Sequence, residues 1–318
     1  MSKRKLVLII ANIFLLVVVI TQGLLLSRDG SKNFRLKETP DQVVITSGGE
    51  SIELAWDGDA WVVGEKKYPT NDYTVDSLLD SLENIRCLEK VSSTGKQGAI
   101  EKYDLTDDKK ITVTAWKNGQ ELRSIEIGKT ASTVSQNFVT VDGGKDIYLA
   151  TGGLRNIFSV DEGNVRSDIV WEFDASEINN VTIERNATTG GSTPTNVNTP
   201  KAPFSVSKSG SGEDLQWTVS GSDIDLDSGK AQSWFDSLGT LTTGMWYDES
   251  KDLGGEKIAT VKITYGTNIA TIDIFELPPV GEETIPSYYG KSSTTPYPFQ
   301  LTSYTMEKIN KNPEELAK

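Results

Sequence analysis

Two stretches of the chain, TVDSLLDSLENI from Thr74 and KAQSWFDSLGTL from Lys230, repeat one pattern. On a helix, Val75, Leu78, Leu79, Leu82 and Ile85 fall at i, i+3, i+4, i+7 and i+10 of one face. Ala231, Trp234, Phe235, Leu238 and Leu241 take the same five positions in the second stretch. Thr74 or the Asn71-Asp72 pair is placed to cap the first helix, and Asp227 or Ser228 the second.

The match extends to both sides, and its collinearity is what constrains the fold. Upstream, AWVV around Trp61 corresponds to QWTV around Trp217, and DQVVIT from Asp41 to NNVTIE from Asn179. Downstream, YDLTDDKKITV from Tyr103 aligns with KDLGGEKIATV from Lys251, and RSIEIG from Arg123 with ATIDIF from Ala270. Phe138, Ile147 and Leu149 then meet Tyr288, Tyr297 and Phe299. A series of elements in one order, written twice, implies a tandem duplication. One helix among several alternating strands predicts an α+β module, its helix covering the apolar face of a mostly antiparallel sheet. The expected units are 37–168 and 169–318. The Thr-, Asn-, Gly- and Pro-rich segment 186–203 is expected to be a mobile insertion in the second. The glycine pairs Gly48-Gly49, Gly143-Gly144 and Gly152-Gly153 read as hairpin turns.

Ahead of the units, residues from Leu6 to Leu26 form an apolar run without a charge. As a helix it would cover about 30 Å, the depth of a bilayer core. Lys3, Arg4 and Lys5 precede it, so the expectation is a single-pass transmembrane helix over 6–26. The basic tail, 1–5, then lies in the cytoplasm, a linker occupies 27–36, and the carboxy-terminal bulk lies outside a bacterial cytoplasmic membrane. No A-x-A-like cleavage site ends the run, and no lipoprotein cysteine follows it.

Composition narrows the chemistry. The formal charge of -13 repels phosphate backbones, so no nucleic-acid partner is expected. The chain has no histidine and a single cysteine, Cys87, expected as a buried thiol at a helix end. Ser-His-Asp and Cys-His pairs, His-ligated zinc and disulfide frameworks are thereby excluded. Carboxylate chemistry survives, with 45 Asp and Glu.

Trp61-Val62, Tyr68-Pro69, the Val75/Leu78/Leu79/Leu82 helix, Tyr103-Asp104-Leu105, Ile127-Gly128 and Ile147-Tyr148-Leu149 occur in that order. This series resembles the bacterial family catalogued as domain of unknown function 4340, over most of the first unit and more loosely the second. The family commonly has Gly where this chain has Asp104. The resemblance implies a membrane-anchored extracytoplasmic protein associated with gliding-motility-type ABC transport components, and it carries over no catalytic residue.

Three site readings remain. Asp223, Asp225 and Asp227 alternate as calcium ligands do, although an EF-hand wants Gly one place earlier and Glu where Trp234 stands. Tyr288, Tyr289 and Tyr297 lie in an aromatic stretch that offers a ligand or partner surface, with sheet packing as the plainer reading. A glycosidase-type carboxylate pair has no distinguishing mark. The function expected is a non-enzymatic membrane-anchored interaction module without cofactor, accessory to an ABC-type transport complex with a permease or ATPase as partner. The alternatives are a cell-envelope glycan-binding protein using exposed aromatics and, behind it, a carboxylate-dependent hydrolase.

Overall fold

The computed structural model describes residues 13–21, 31–186, 203–210, 214–220, 223–248, 250–277 and 287–318. The chain divides into two compact units, Met1–Ser167 and Asp168–Lys318. The insertion expected over 186–203 lies outside the described residues from 187 to 202.

In the first unit the chain runs β1 (Lys32–Arg35), β2 (Gln42–Ser47), β3 (Glu50–Trp56), β4 (Trp61–Val63) and β5 (Tyr68–Pro69), then α1 (Asp72–Glu83) and β6 (Asn84–Ser93). After the short α2 (Ala99–Lys102) come β7 (Ile111–Lys117), β8 (Gln120–Thr130), β9 (Gln136–Val141) and β10 (Asp146–Thr151), closed by α3 (Leu154–Phe158) and α4 (Glu162–Val165). The ten strands form one antiparallel sheet in the order β1-β6-β10-β9-β8-β7-β2-β3-β4-β5. Gly48 and Gly49, both at positive φ, join β2 to β3 with Ser47 paired to Glu50. This is the two-residue turn whose backbone matches the twist of the strands.

The second unit holds β11 (Ile169–Glu172), β12 (Ile178–Arg185), β13 (Phe204–Ser209), β14 (Gln216–Ser220), α5 (Ser228–Leu238) and β15 (Thr240–Thr242). It continues with β16 (Glu256–Tyr265), β17 (Asn268–Glu276), β18 (Tyr288–Ser292), β19 (Phe299–Leu301) and α6 (Ser303–Ile309). Seven strands pair in the order β14-β13-β12-β16-β17-β18-β19, and β11 pairs with β15 apart from them. Read from the other edge, β19-β18-β17-β16-β12-β13-β14 repeats the β10-β9-β8-β7-β2-β3-β4 order of the first unit. Each unit is thus an α+β structure with antiparallel sheets and several helices.

The two expected helices form for the same local reasons. The Asn71 side chain accepts the Thr74 amide at 3.1 Å, and the Asp227 side chain accepts the Lys230 amide at 2.9 Å. α1 buries Val75, Leu78 and Leu82, and α5 buries Ala231, Trp234, Phe235 and Leu238. Burial of each such large side chain contributes about 1.5–3 kcal/mol. Ile85 and Leu241, the last apolar position of each pattern, are buried but lie in β6 and β15.

The reading of 6–26 as a transmembrane anchor is corrected. Among the described residues no helix is long and apolar enough to cross a membrane. Leu6 and Leu26, proposed as the ends of the anchor, lie outside the described residues. The single-pass placement and the lipid bilayer as partner stood on that helix, and the ABC-type complex as partner stood on it together with the family resemblance; all three are withdrawn.

Arg123 ties together elements far apart in sequence. Only 3% exposed, it donates from Nη1 to the carbonyls of Leu82 at 2.9 Å and Phe34 at 3.3 Å, and its Nε lies 3.2 Å from the Asp142 carboxylate. Cys87 is buried in strand β6, not at a helix end. Burial pushes its thiol up from 9.0 to about 11. The folded state therefore holds a proton that the unfolded state releases first, so its stability is undiminished below pH 9.0 and falls as pH rises toward 11. Summed over that window the loss is about 2–3 kcal/mol. Denaturant midpoints measured from pH 8 to 11 should fall in the native chain and fall less in Cys87→Ala; parallel profiles would refute the assignment.

Candidate functional site

Alternation along β18 sends Tyr288 and Tyr289 to opposite faces of the sheet. Tyr289 is 3% exposed: its ring stacks on Phe275 at 4.8 Å, meets Tyr247 edge-on at 6.3 Å, and its hydroxyl donates to the Gly254 carbonyl at 2.8 Å. Tyr288 is half-buried against the core of the unit, and burial, then Glu276, raises its phenol pKa. Tyr297 precedes β19 and lies edge-on to Trp246, with centroids 6.1 Å apart; Trp246 in turn packs on Phe299. The three tyrosines therefore do not share one surface.

The three aspartates are placed just ahead of α5, each differently. Asp225 pairs with Lys318 at 2.7 Å, while Asp223 is exposed. Asp227 caps α5, and the Lys230 amide that it accepts holds its carboxyl below the usual range. Among the described residues, no group of three or more Cys, Asp or Glu side chains is arranged to hold a metal ion.

A different aromatic pair carries the features of a binding site. Trp56 ends β3 and Trp61 begins β4, directly opposite in the hairpin. Their rings stand 6.3 Å apart at 68°, forming two walls of a corner. The pair shares the face of buried Leu54 and Val63, so it sits at the rim of the core with Trp56 46% exposed. The turn between them is Asp57-Gly58-Asp59-Ala60, with Gly58 at φ 111°. The Asp57 carboxylate accepts the amides of Ala60 at 2.9 Å and Asp59 at 3.0 Å, which lowers its pKa and pins it in the turn that joins the two tryptophans. Behind Trp61, its carbonyl accepts the buried Thr70 hydroxyl at 2.9 Å, one residue before the α1 cap. Tyr73, in the first turn of α1, is 84% exposed.

The reading of repeats misses this corner. It aligns Trp61 with Trp217 and gives no role to Trp56. The available signal was the WDGDAW sequence, two tryptophans flanking a turn with two carboxylates.

No curated protein and no solved structure matches the chain. The family described as "Domain of unknown function (DUF4340)" matches residues 61–253. That segment starts at Trp61, takes in both amphipathic helices, and spans more than half of the 318 residues. The chain therefore belongs to this family of domains of unknown function.

Proposed function

We propose that the chain is a non-enzymatic glycan-binding module, and that the Trp56–Trp61 corner is its contact with sugar. The observation that carries this reading is the pair itself: one half-exposed ring and a second ring at 68°, joined by a turn that pins a carboxylate. A pyranose presents an apolar C–H face and a rim of hydroxyls. An aromatic wall takes the first and a fixed acceptor the second, and both are held before the ligand arrives. The carboxylates support binding over hydrolysis. A glycosidase acid needs a raised pKa to hold its proton at neutral pH. Among the described carboxylates, those whose pKa values depart from the ordinary, Asp57, Asp108, Asp146, Asp174 and Asp227, are all lowered.

Titrating the full chain with soluble cell-wall fragments should change tryptophan fluorescence and give a saturable isotherm. Trp56→Ala should weaken binding by about tenfold or more, without altering thermal unfolding. Equal affinity in Trp56→Ala and Trp61→Ala would remove the corner from the binding surface. Release of new reducing ends from the fragments would show the module to be an enzyme.

A further inference from the structure

A second feature of the first unit points to a protein partner, independently of the glycan reading. β1 is one edge of the ten-stranded sheet, with β6 on one side and no strand on the other among the described residues. The Leu36 amide donates to the Glu83 carbonyl at 2.8 Å. In an antiparallel pair every second residue turns its backbone to the partner strand. Leu36, Phe34 and Lys32 therefore face β6, whereas the N–H and C=O groups of Asn33 and Arg35 face outward.

The side chains of this edge add charge to the open ladder. Asn33 stands opposite Arg86 and Arg35 opposite Asn84, on the face away from buried Ile85 and Cys87; all four are exposed. Neither Arg35 nor Arg86 has an ion-pair partner among the described residues. Lys32 lies on the opposite face, its ammonium 4.4 Å from the Phe34 ring centroid and in electrostatic contact with Asp146. Beyond the start of β1, a cleft lined by Ser31, Lys32, Asn33, Arg86, Cys87 and Leu88 continues along β6.

Two arginines without an ion-pair partner among the described residues stand out in a chain of formal charge -13. Basic residues on an edge strand repel an identical edge, which disfavours a second copy of this chain as the occupant. The same charges favour an acidic strand. We propose that the β1 edge takes an extended acidic segment of a partner protein as an added strand. The outward backbone groups of Asn33 and Arg35 pair with its main chain, and Arg35 and Arg86 take its carboxylates.

The test uses the full chain and a fluorescent peptide alternating Glu with Thr. Its controls are the same peptide with Gln for Glu, a backbone N-methylated version, and phosphatidylglycerol vesicles. The Glu peptide should bind saturably. Arg35→Glu combined with Arg86→Glu should weaken it by about tenfold or more, as should Asn33→Pro, which removes an outward N–H that β6 does not use. N-methylation, which leaves the protein untouched, should have the same effect, and isotope-edited infrared should show the peptide joining a sheet. Failure of the Glu peptide to bind, or equal binding of the Gln peptide, would overturn the proposal. Affinity that survives N-methylation would reduce the edge to a charged patch. Binding of the vesicles but not the peptide would replace the protein partner with an anionic surface.

Discussion

Phe235→Ala should destabilise the second unit by about 4 kcal/mol, within the range for removing a fully buried aromatic ring. Phe235 is fully buried on α5, with its ring edge-on to Trp217 at 4.8 Å and near Trp234 at 5.5 Å. It thereby joins the helix to β14 at the edge of the sheet and to the rest of the core. Deleting the ring leaves a cavity that two large neighbours cannot fill without leaving their own contacts. Trp217 and Trp234 report the change directly, so the measurement is a urea titration followed by tryptophan emission. A loss under about 1 kcal/mol would mean that the site collapses and that α5 is held mainly from elsewhere.

Gly128→Ala should cost the first unit about 3 kcal/mol, through a clash and not a cavity. A Cβ at this position would overlap the carbonyl oxygen of Tyr103 and come within 3.2 Å of the Leu105 side chain. The backbone has little room to withdraw, because the Lys129 amide donates to that same carbonyl at 2.9 Å. The Tyr103 ring is held in turn by Phe138 at 4.5 Å. Thermal unfolding should shift down, and exchange of the Lys129 amide should accelerate more than that of amides in β2. An unchanged melting temperature with native protection of Lys129 would show that the contact yields without cost.

The Gly128 contact explains a spacing that the sequence displayed without a reason. Tyr103-Asp104-Leu105 and Ile127-Gly128 are separate motifs along the chain, but they form two sides of one backbone crossing. Asp104 lies at φ 53°, a left-handed conformation that glycine takes without strain. Glycine at this position in the family fits that geometry. Here an aspartate adopts it, with Lys109 at 3.2 Å.

Helices α1 and α5 were legible because their signals are local. The apolar spacing marks one face, and Asn71 and Asp227 begin the helices within hydrogen-bond reach of their own first turns. Ile85 and Leu241 show where that reading stops. Each keeps the helical spacing, yet the chain has already become a strand, and periodicity alone does not separate a helix end from a buried strand start. The apolar run at 6–26 shows the same limit at larger scale: length and hydropathy suggested a span, and among the described residues no helix is long and apolar enough to be one.

The sites depended on register. Tyr288 and Tyr289 look like one surface in a row of letters, but adjacent residues of a strand cannot share a face. Trp56 and Trp61 are five positions apart and meet only because a hairpin sets them opposite each other. From the sequence alone follow the duplicated pattern, the two helices with their caps, the hairpin turns at Gly48-Gly49 and Gly143-Gly144 and the exclusion of histidine chemistry, since each rests on residues a few positions apart or on composition; Gly152-Gly153, read as a third hairpin, instead leads from β10 into α3 with Gly153 as its cap. Only the tertiary structure decided the order of strands, the place of β1 at one edge of the described sheet and the corner of two tryptophans. It also decided the partners of Arg123, 41 and 89 residues away. Interstrand hydrogen bonds join distant segments, and until their register is set, no side chain is assigned to core, rim or solvent.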